Sequence, residues 1–329
     1  MTIIIILLSS CSSNNKYSYI ANEGTIYGTI YHIKYESPRA KNLHESITEE
    51  MKRFDNSLST FNPNSTISRI NRNDENVEVD EFFKKCFLAA KEVSDKTDGA
   101  FDMTVAPLVN AWGFGFKHKE KITPALIDSL LQSVNYKEIE LIDGKIIKEN
   151  PNTMLDASAI AKGLSVDVVA EFLEKKGCKN YMVEIGGEVV AKGINSKGRI
   201  WRIGINKPQE DAFFAEQDLQ AIVDLKDKAL ATSGNYRNFY VEGGKKYAHT
   251  IDPKSGYPVQ HSLLSATVLA DDCMIADAYA TAFMVLGIEK AMVIAESINQ
   301  LEAYFIYADD SGNNQVSYTS GFKPYISDN

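Results

Sequence analysis

Between residues 19 and 319 the apolar positions switch repeatedly from the two-residue spacing of a strand to the 3.6-residue spacing of a helix. The switches do not follow a strict strand–helix–strand rhythm. That order favours an α+β fold with mixed sheets and helices over a doubly wound parallel sheet, and no fixed-period repeat is present. A strand pair is expected over 19–35, punctuated by Gly24 and Gly28. A helix follows over 41–57, carried by Leu43, Ile47, Met51 and Phe54 and broken at Asn62-Pro63-Asn64. A second helix over 80–97 stops before Asp98-Gly99, and Thr123 with Pro124 opens a short one over 123–134. Asp143-Gly144 marks a hairpin between 137–142 and 145–148. The most regular helix, 157–176, carries Ile160, Leu164, Val168 and Phe172 four residues apart and meets its stop at Gly177. Strands are expected at 181–191, 200–206 and 219–225, with a hairpin of 236–242 and 247–251 across Gly243-Gly244. A long helix over 276–298 and closing strands at 302–307 and 315–319 complete the pattern.

The chain has 329 residues, 44% of them hydrophobic and 24% charged, which is enough apolar material for a core of one large domain or two intimate ones. No glycine- or proline-rich linker marks a cut. A formal charge of −9 argues against sequence-independent nucleic-acid binding, which needs a basic footprint, so no nucleic-acid partner is expected. The N-terminus runs from Ile3 to Leu8 without a polar residue, then reads Ser9-Ser10-Cys11 and continues in a polar stretch. This resembles a bacterial lipoprotein signal, although no Lys or Arg precedes the apolar run. In that reading residues 1–11 end at a lipidated Cys11, residues 12–18 are a tether, and residues 19–329 form the globular body, held to a membrane through the lipid. Of the four cysteines, Cys86 and Cys178 fall in helical patterns and suit a core. Neither a disulfide framework nor a zinc site is supported by their spacing.

Several short segments could carry chemistry. Leu155-Asp156-Ala157-Ser158-Ala159-Ile160-Ala161-Lys162-Gly163 opens the best helix. Asp156 stands where an N-cap acceptor belongs, while Lys162 among small neighbours, close to free helix N–H groups, makes an anion site plausible. Asp277 and Thr281 lie four apart on one helix face; both are hard oxygen ligands of the kind Mg²⁺ takes, and Asp277 equally suits the first turn of a helix dipole. Ser233-Gly234-Asn235-Tyr236 and His249 to Pro258 are dense in loop formers, with Asp252-Pro253-Lys254-Ser255-Gly256 an ordinary turn by composition. Gly186-Gly187 interrupts an apolar strand and implies a bulge or a close backbone approach. Gly99-Ala100-Phe101-Asp102 and Trp112-Gly113-Phe114-Gly115 set aromatics among glycines, which suits either a planar ring or packing.

Taken in order, Tyr27-Gly28-Thr29, Leu58 to Phe61, Gly99 to Pro107, Trp112 to Gly115, Asp156 to Asp167, Glu184 to Glu188, Ser233 to Tyr236, His249 to Pro258 and Ala276 to Gly287 resemble the FAD:protein FMN transferase family, the ApbE lipoproteins. The resemblance spans nearly the whole chain. It implies an α+β fold that binds FAD in a cleft between two closely joined parts, with Mg²⁺ at the pyrophosphate. It also implies transfer of FMN from FAD to a threonine or serine hydroxyl of a target protein, with release of AMP. The implied targets are subunits of sodium-pumping NADH:quinone oxidoreductases and Rnf-type complexes, reached from the periplasmic face of a bacterial inner membrane.

Residue by residue, Asp277 and Thr281 match the family's side-chain metal ligands, and the Ala159 carbonyl matches a third. Tyr27, Phe61, Ala100, Phe101, Asp102, Asp156, Lys162 and Ile251 match contacts to FAD. His249 matches the His-x-x-Asp-Pro loop of the active site. Lys162 would add a second positive charge beside the metal, and His249 and Asp252 are the candidates, by position, for the base. Tyr27 stands where the family usually has methionine, and Ser158-Ala159 where it usually has two glycines. The same fold could instead serve an FAD pyrophosphatase, with water as acceptor, or a non-catalytic flavin-binding lipoprotein. A structural lipoprotein without a ligand would leave the small-residue helix faces unexplained. The presence of Asp277, Thr281 and Lys162 argues against a pure binder, while transferase and pyrophosphatase would use the same metal and phosphorus; the order is transferase, pyrophosphatase, binder, structural lipoprotein.

Overall fold

Eight antiparallel strands form the central sheet of this chain in the computed structural model, which describes residues 18–208, 218–236, 239–243 and 245–327. The expected signal, Cys11 and the tether as far as residue 17 lie outside the described residues, and Ser18 already belongs to the first strand. The chain opens with a hairpin of β1 (Ser18–Ile26) and β2 (Thr29–Ser37). Five helices follow: α1 (His44–Leu58), α2 (Thr66–Asn71), α3 (Glu81–Lys96), α4 (Ala106–Ala111) and α5 (Pro124–Leu131). The small hairpin β3 (Ile139–Ile142) and β4 (Lys145–Lys148) leads to α6 (Ala161–Lys175). Next come β5 (Tyr181–Ile185), β6 (Glu188–Lys192), β7 (Trp201–Asn206), β8 (Leu219–Leu225) and β9 (Lys228–Gly234). The hairpin β10 (Phe239–Glu242) and β11 (Lys245–Ala248) precedes β12 (Leu263–Ala270). The chain ends with α7 (Cys273–Leu286), α8 (Ile288–Ser297), β13 (Glu302–Ala308) and β14 (Asn314–Tyr318).

The sheet order is β1-β2-β5-β6-β9-β12-β13-β14. The α+β expectation is met, and four local expectations are corrected. The helix expected from 157 starts at Ala161, because Asp156 does not cap it. The Asp156 carboxylate accepts the Ser158 N–H at 2.8 Å in a turn ahead of the helix, and the N-cap position falls to Ile160, which gives no side-chain cap. The expected strand 181–191 is two strands, β5 and β6, joined by a tight turn in which Gly186 and Gly187 take φ of 66° and 104°. The expected helix 276–298 is α7 and α8, separated by Gly287 at φ 75°. β9 and β12, both in the middle of the sheet, were not expected. They are buried on both faces, so small and apolar residues run on without the alternation that marks a half-buried strand.

One face of the sheet carries α6 and α7, backed by α1 and α3, around Phe54, Phe83, Leu164, Val268 and Phe283 and, at the β1 end, Tyr35, Ile47 and Val169. The other face is covered by β7, β8 and Phe322, which bury Val189, Leu230, Leu269 and Ile306. A satellite cluster of Leu108, Trp112, Ile127 and Ile251 ties α4 and α5 to the His249 loop, and Trp112 Nε1 donates to the Gly256 carbonyl at 2.8 Å. α6 and α7 meet backbone to backbone at Gly163: a β-carbon there would lie 2.3 Å from the Cys273 carbonyl oxygen. One turn further along α6, Asp167 accepts the first free N–H groups of α7, from Cys273 at 2.9 Å and Met274 at 2.8 Å.

Candidate active site

The contact at Gly163 decides which side chains meet. Its N–H donates to Asp277 Oδ2 at 3.0 Å, so a carboxylate from the first turns of α7 sits on the opening turn of α6. Lys162, one residue earlier, pairs with Glu188, which the Gly186-Gly187 turn delivers to the start of β6 with its side chain only 2% exposed. The second carboxylate oxygen of Glu188, Oε2, is buried and has no hydrogen-bond partner. Burial is the largest influence on all three groups. It raises the Asp277 carboxyl, against the pull of Lys162 and the Gly163 N–H. It pushes Glu188 up to about 7, again against Lys162. It works to lower Lys162, but Glu188 and Asp277 outweigh it and hold the ammonium above its usual value. Two buried carboxylates therefore share one ammonium, and the cluster is short of positive charge.

Thr281 follows Asp277 by one helical turn, and its hydroxyl lies 3.2 Å from that of Ser233 on β9. Asp277, Thr281 and Ala159 line one cavity of about 320 Å³ together with Asp156, Lys162 and His249. A buried carboxylate that lacks charge compensation, a hydroxyl and a main-chain carbonyl form a hard-oxygen set that fits Mg²⁺, which keeps waters and shares phosphate oxygens. Among the described residues no group of three or more His, Cys, Asp or Glu is placed to hold a metal ion.

A second cavity of about 600 Å³ is more apolar and is lined by Tyr27, Phe54, Leu58 and Phe61. The two cavities share Ser158 and Lys162 in their walls. Tyr27 is pinned there by its hydroxyl, which donates to the Met51 carbonyl at 2.7 Å, and by its ring, 5.8 Å from that of Phe54. Phe61 stands 79% exposed at the rim. Ala100, Phe101, Asp102, Asp156 and Ile251 all line the smaller cavity. The Asp102 carboxylate is engaged by Thr104 of its own loop, through the N–H at 2.7 Å and the hydroxyl at 2.6 Å, and by the Tyr136 N–H at 3.1 Å from 34 residues away. It shapes the wall more than it offers a free charge.

The His249 loop is braced at each end. Thr250 donates to Asn235 Oδ1 at 2.6 Å, and Lys254 reaches across to Asp98 at 2.5 Å. His249 lines the smaller cavity, with its ring centre 6.3 Å from that of Phe114 in an edge-to-face arrangement. Asp252 does not line it: its Oδ1 accepts the Lys254 N–H at 3.0 Å and its main chain closes the turn through Tyr257 and Gly256. Of the residues singled out in the sequence, Asp252 is therefore the one set apart, as an organiser of its own turn. Glu188 and Ser233 were not assigned roles in the sequence, although both stand in motif segments. Their importance rests on pairings with Lys162 and Thr281, 26 and 48 residues away, and no spacing in the sequence announces those.

The model of the ApbE family matches residues 27–305. The chain is 40% identical over 319 residues to the FAD:protein FMN transferase of Haemophilus influenzae, covering 93% of this chain and 90% of the relative. It is 37% identical over 331 residues to the FAD:protein FMN transferase of Vibrio cholerae, covering 98% and 97% of the two chains. The solved structure of the flavin transferase ApbE from Vibrio cholerae matches with a TM-score of 0.84 at 35% identity, over 94% of this chain and 100% of that one.

Proposed function

The chain belongs to the ApbE family, and on that premise we propose that it is an FAD:protein FMN transferase that uses Mg²⁺, joins FMN to a threonine or serine hydroxyl of an acceptor protein and releases AMP. The observation that carries the reading is the place of Lys162 in the wall of both cavities. A dinucleotide needs an apolar compartment for a ring system and, next to it, a polar one for its diphosphate. The larger cavity offers Tyr27, Phe54 and Phe61 for the first, and the smaller offers Lys162 with the oxygen set of Asp277, Thr281 and Ala159 for the second.

In the reaction the acceptor oxygen bonds to the FMN-side phosphorus, and the bond from that phosphorus to the bridging oxygen breaks. AMP departs with the bridging oxygen. Such a step depends on position and on charge neutralisation more than on covalent chemistry by the protein. Asp277, Thr281 and the Ala159 carbonyl would hold Mg²⁺, which would supply positive charge to the pyrophosphate when bound. Lys162 adds a second positive charge, kept ionised by its two carboxylate neighbours. His249 faces the same cavity and takes the proton of the acceptor hydroxyl, while Asp252 keeps the loop in shape. The lipoprotein-like N-terminus extends the reading: a lipidated Cys11 would hold the enzyme on the periplasmic face of a bacterial inner membrane. Acceptors there would be subunits of sodium-pumping NADH:quinone oxidoreductases or Rnf-type complexes.

The test is purified protein with FAD, Mg²⁺ and a co-expressed candidate acceptor, read by flavin fluorescence of the denatured acceptor band. Asp277→Ala is expected to lower labelling by about 100-fold or more. Metal-dependent release of free FMN and AMP without a labelled band would replace the transferase with a pyrophosphatase. Bound FAD with neither product would leave a flavin carrier.

A further inference from the structure

Lys162 has two buried carboxylates within reach and is paired with only one. Its ammonium rests on Glu188, while Asp277, which accepts the N–H of the very next residue, receives no side-chain donor among the described residues. The choice is not set by exposure, because Glu188 and Asp277 are both about 2% exposed. It is set by the backbone. The left-handed Gly186-Gly187 turn fixes the start of β6 and presents Glu188 to Lys162, and the unpartnered Oε2 leaves the Glu188 side chain with no other commitment. If Lys162 closed on Asp277 instead, the only side-chain carboxylate among the metal-fitting oxygens would be occupied by an internal cation.

We infer that Glu188 is a positioning residue that holds Lys162 away from Asp277 and so keeps the Asp277 carboxylate open to a divalent cation. This rests on the reading of Asp277 as a metal ligand. Glu188 thereby acts on metal affinity without touching the metal.

The experiment is Mn²⁺ titration of the full chain, followed by loss of the free-ion electron paramagnetic resonance signal, without FAD or acceptor. Glu188→Gln is expected to weaken Mn²⁺ binding by about tenfold or more as Lys162 turns to Asp277. Glu188→Asp keeps the charge but shortens the reach by one methylene. It too is expected to weaken binding several-fold, whereas a simple loss of negative charge predicts no change for this variant. Lys162→Met in the Glu188→Gln background removes the competing cation, replaces both members of the ion pair, and is expected to restore affinity to near the wild-type value. Unchanged Mn²⁺ affinity in Glu188→Asp, or failure of the double variant to recover it, would overturn the inference. A wild-type chain that binds no Mn²⁺ would overturn it as well, while the transferase reading would still be decided separately by the fluorescent acceptor band.

Discussion

At Gly163 a single hydrogen in place of a side chain lets two helices touch and lets a main-chain N–H reach Asp277. An added β-carbon would meet the Cys273 carbonyl carbon at 2.7 Å and Asp277 Cβ at 2.8 Å, neither of which is the far end of a flexible side chain. Gly163→Ala is therefore expected to push α6 and α7 apart, with a stability loss of about 1–3 kcal/mol by chemical denaturation. Its effect on activity should exceed its effect on stability, because the same shift draws Asp277 and Thr281, which move together on α7, away from the Ala159 carbonyl and Lys162. Full activity in a well-folded Gly163→Ala protein would mean that the α6–α7 contact does not set the site. Lys162 and Glu188 illustrate a different residue-scale rule. A pair whose carboxylate is buried with one oxygen unpartnered, and whose lysine is 40% exposed, is a weak source of stability, and its presence here is better explained by what it prevents.

Among the elements, α6 does the most to place the site, because it supplies both the lysine that borders the two cavities and the carboxylate that caps α7. Burial pushes the Asp167 carboxyl from 3.8 up to about 7, against the two N–H donors of α7 that pull it down. The folded chain thus holds a proton that the unfolded chain has already released, so the stabilising contribution of Asp167 is full below about pH 4 and fades as pH rises to about 7. Urea titrations of wild type and Asp167→Asn should show their difference in unfolding free energy falling across that range and levelling above it. A constant difference would mean that Asp167 is ionised throughout. The elements that amphipathic spacing or turn residues mark, such as α1, α3 and the β3–β4 hairpin, could be read from the sequence almost residue by residue. β9 and β12 could not, since burial on both faces removes the alternation. Nor could the break at Gly287, where His261 Nε2 donates to the Met284 carbonyl at 2.8 Å and helps to end α7. The site was legible because its loops and helix starts use distinctive residues. Glu188 and Ser233 were not, because their partners lie across the fold.

At the scale of the molecule, the two cavities border one shared wall, so one dinucleotide would touch residues from Tyr27 to Thr281 at once. A ligand that binds only the folded state adds stability by mass action, about 2.7 kcal/mol at a hundredfold excess over its dissociation constant. FAD with Mg²⁺ is accordingly expected to raise the melting temperature by several degrees and by more than FAD alone, as measured by differential scanning fluorimetry. Asp277→Ala should abolish the increment due to Mg²⁺ while leaving part of that due to FAD. An equal shift with and without Mg²⁺ would separate the carboxylate from metal binding.

The sheet order has a consequence for how the chain comes into being. β2 waits for β5, and β9 waits for β12, while the smaller cavity draws on residues from Ala100 to Val285. A polypeptide emerging from the ribosome, or threading through a membrane, therefore owns no part-built catalytic centre until its last third has arrived. Fragments left by interrupted synthesis or by proteolysis would be silent rather than half-active, and flavin capture would serve as a signature of a finished molecule.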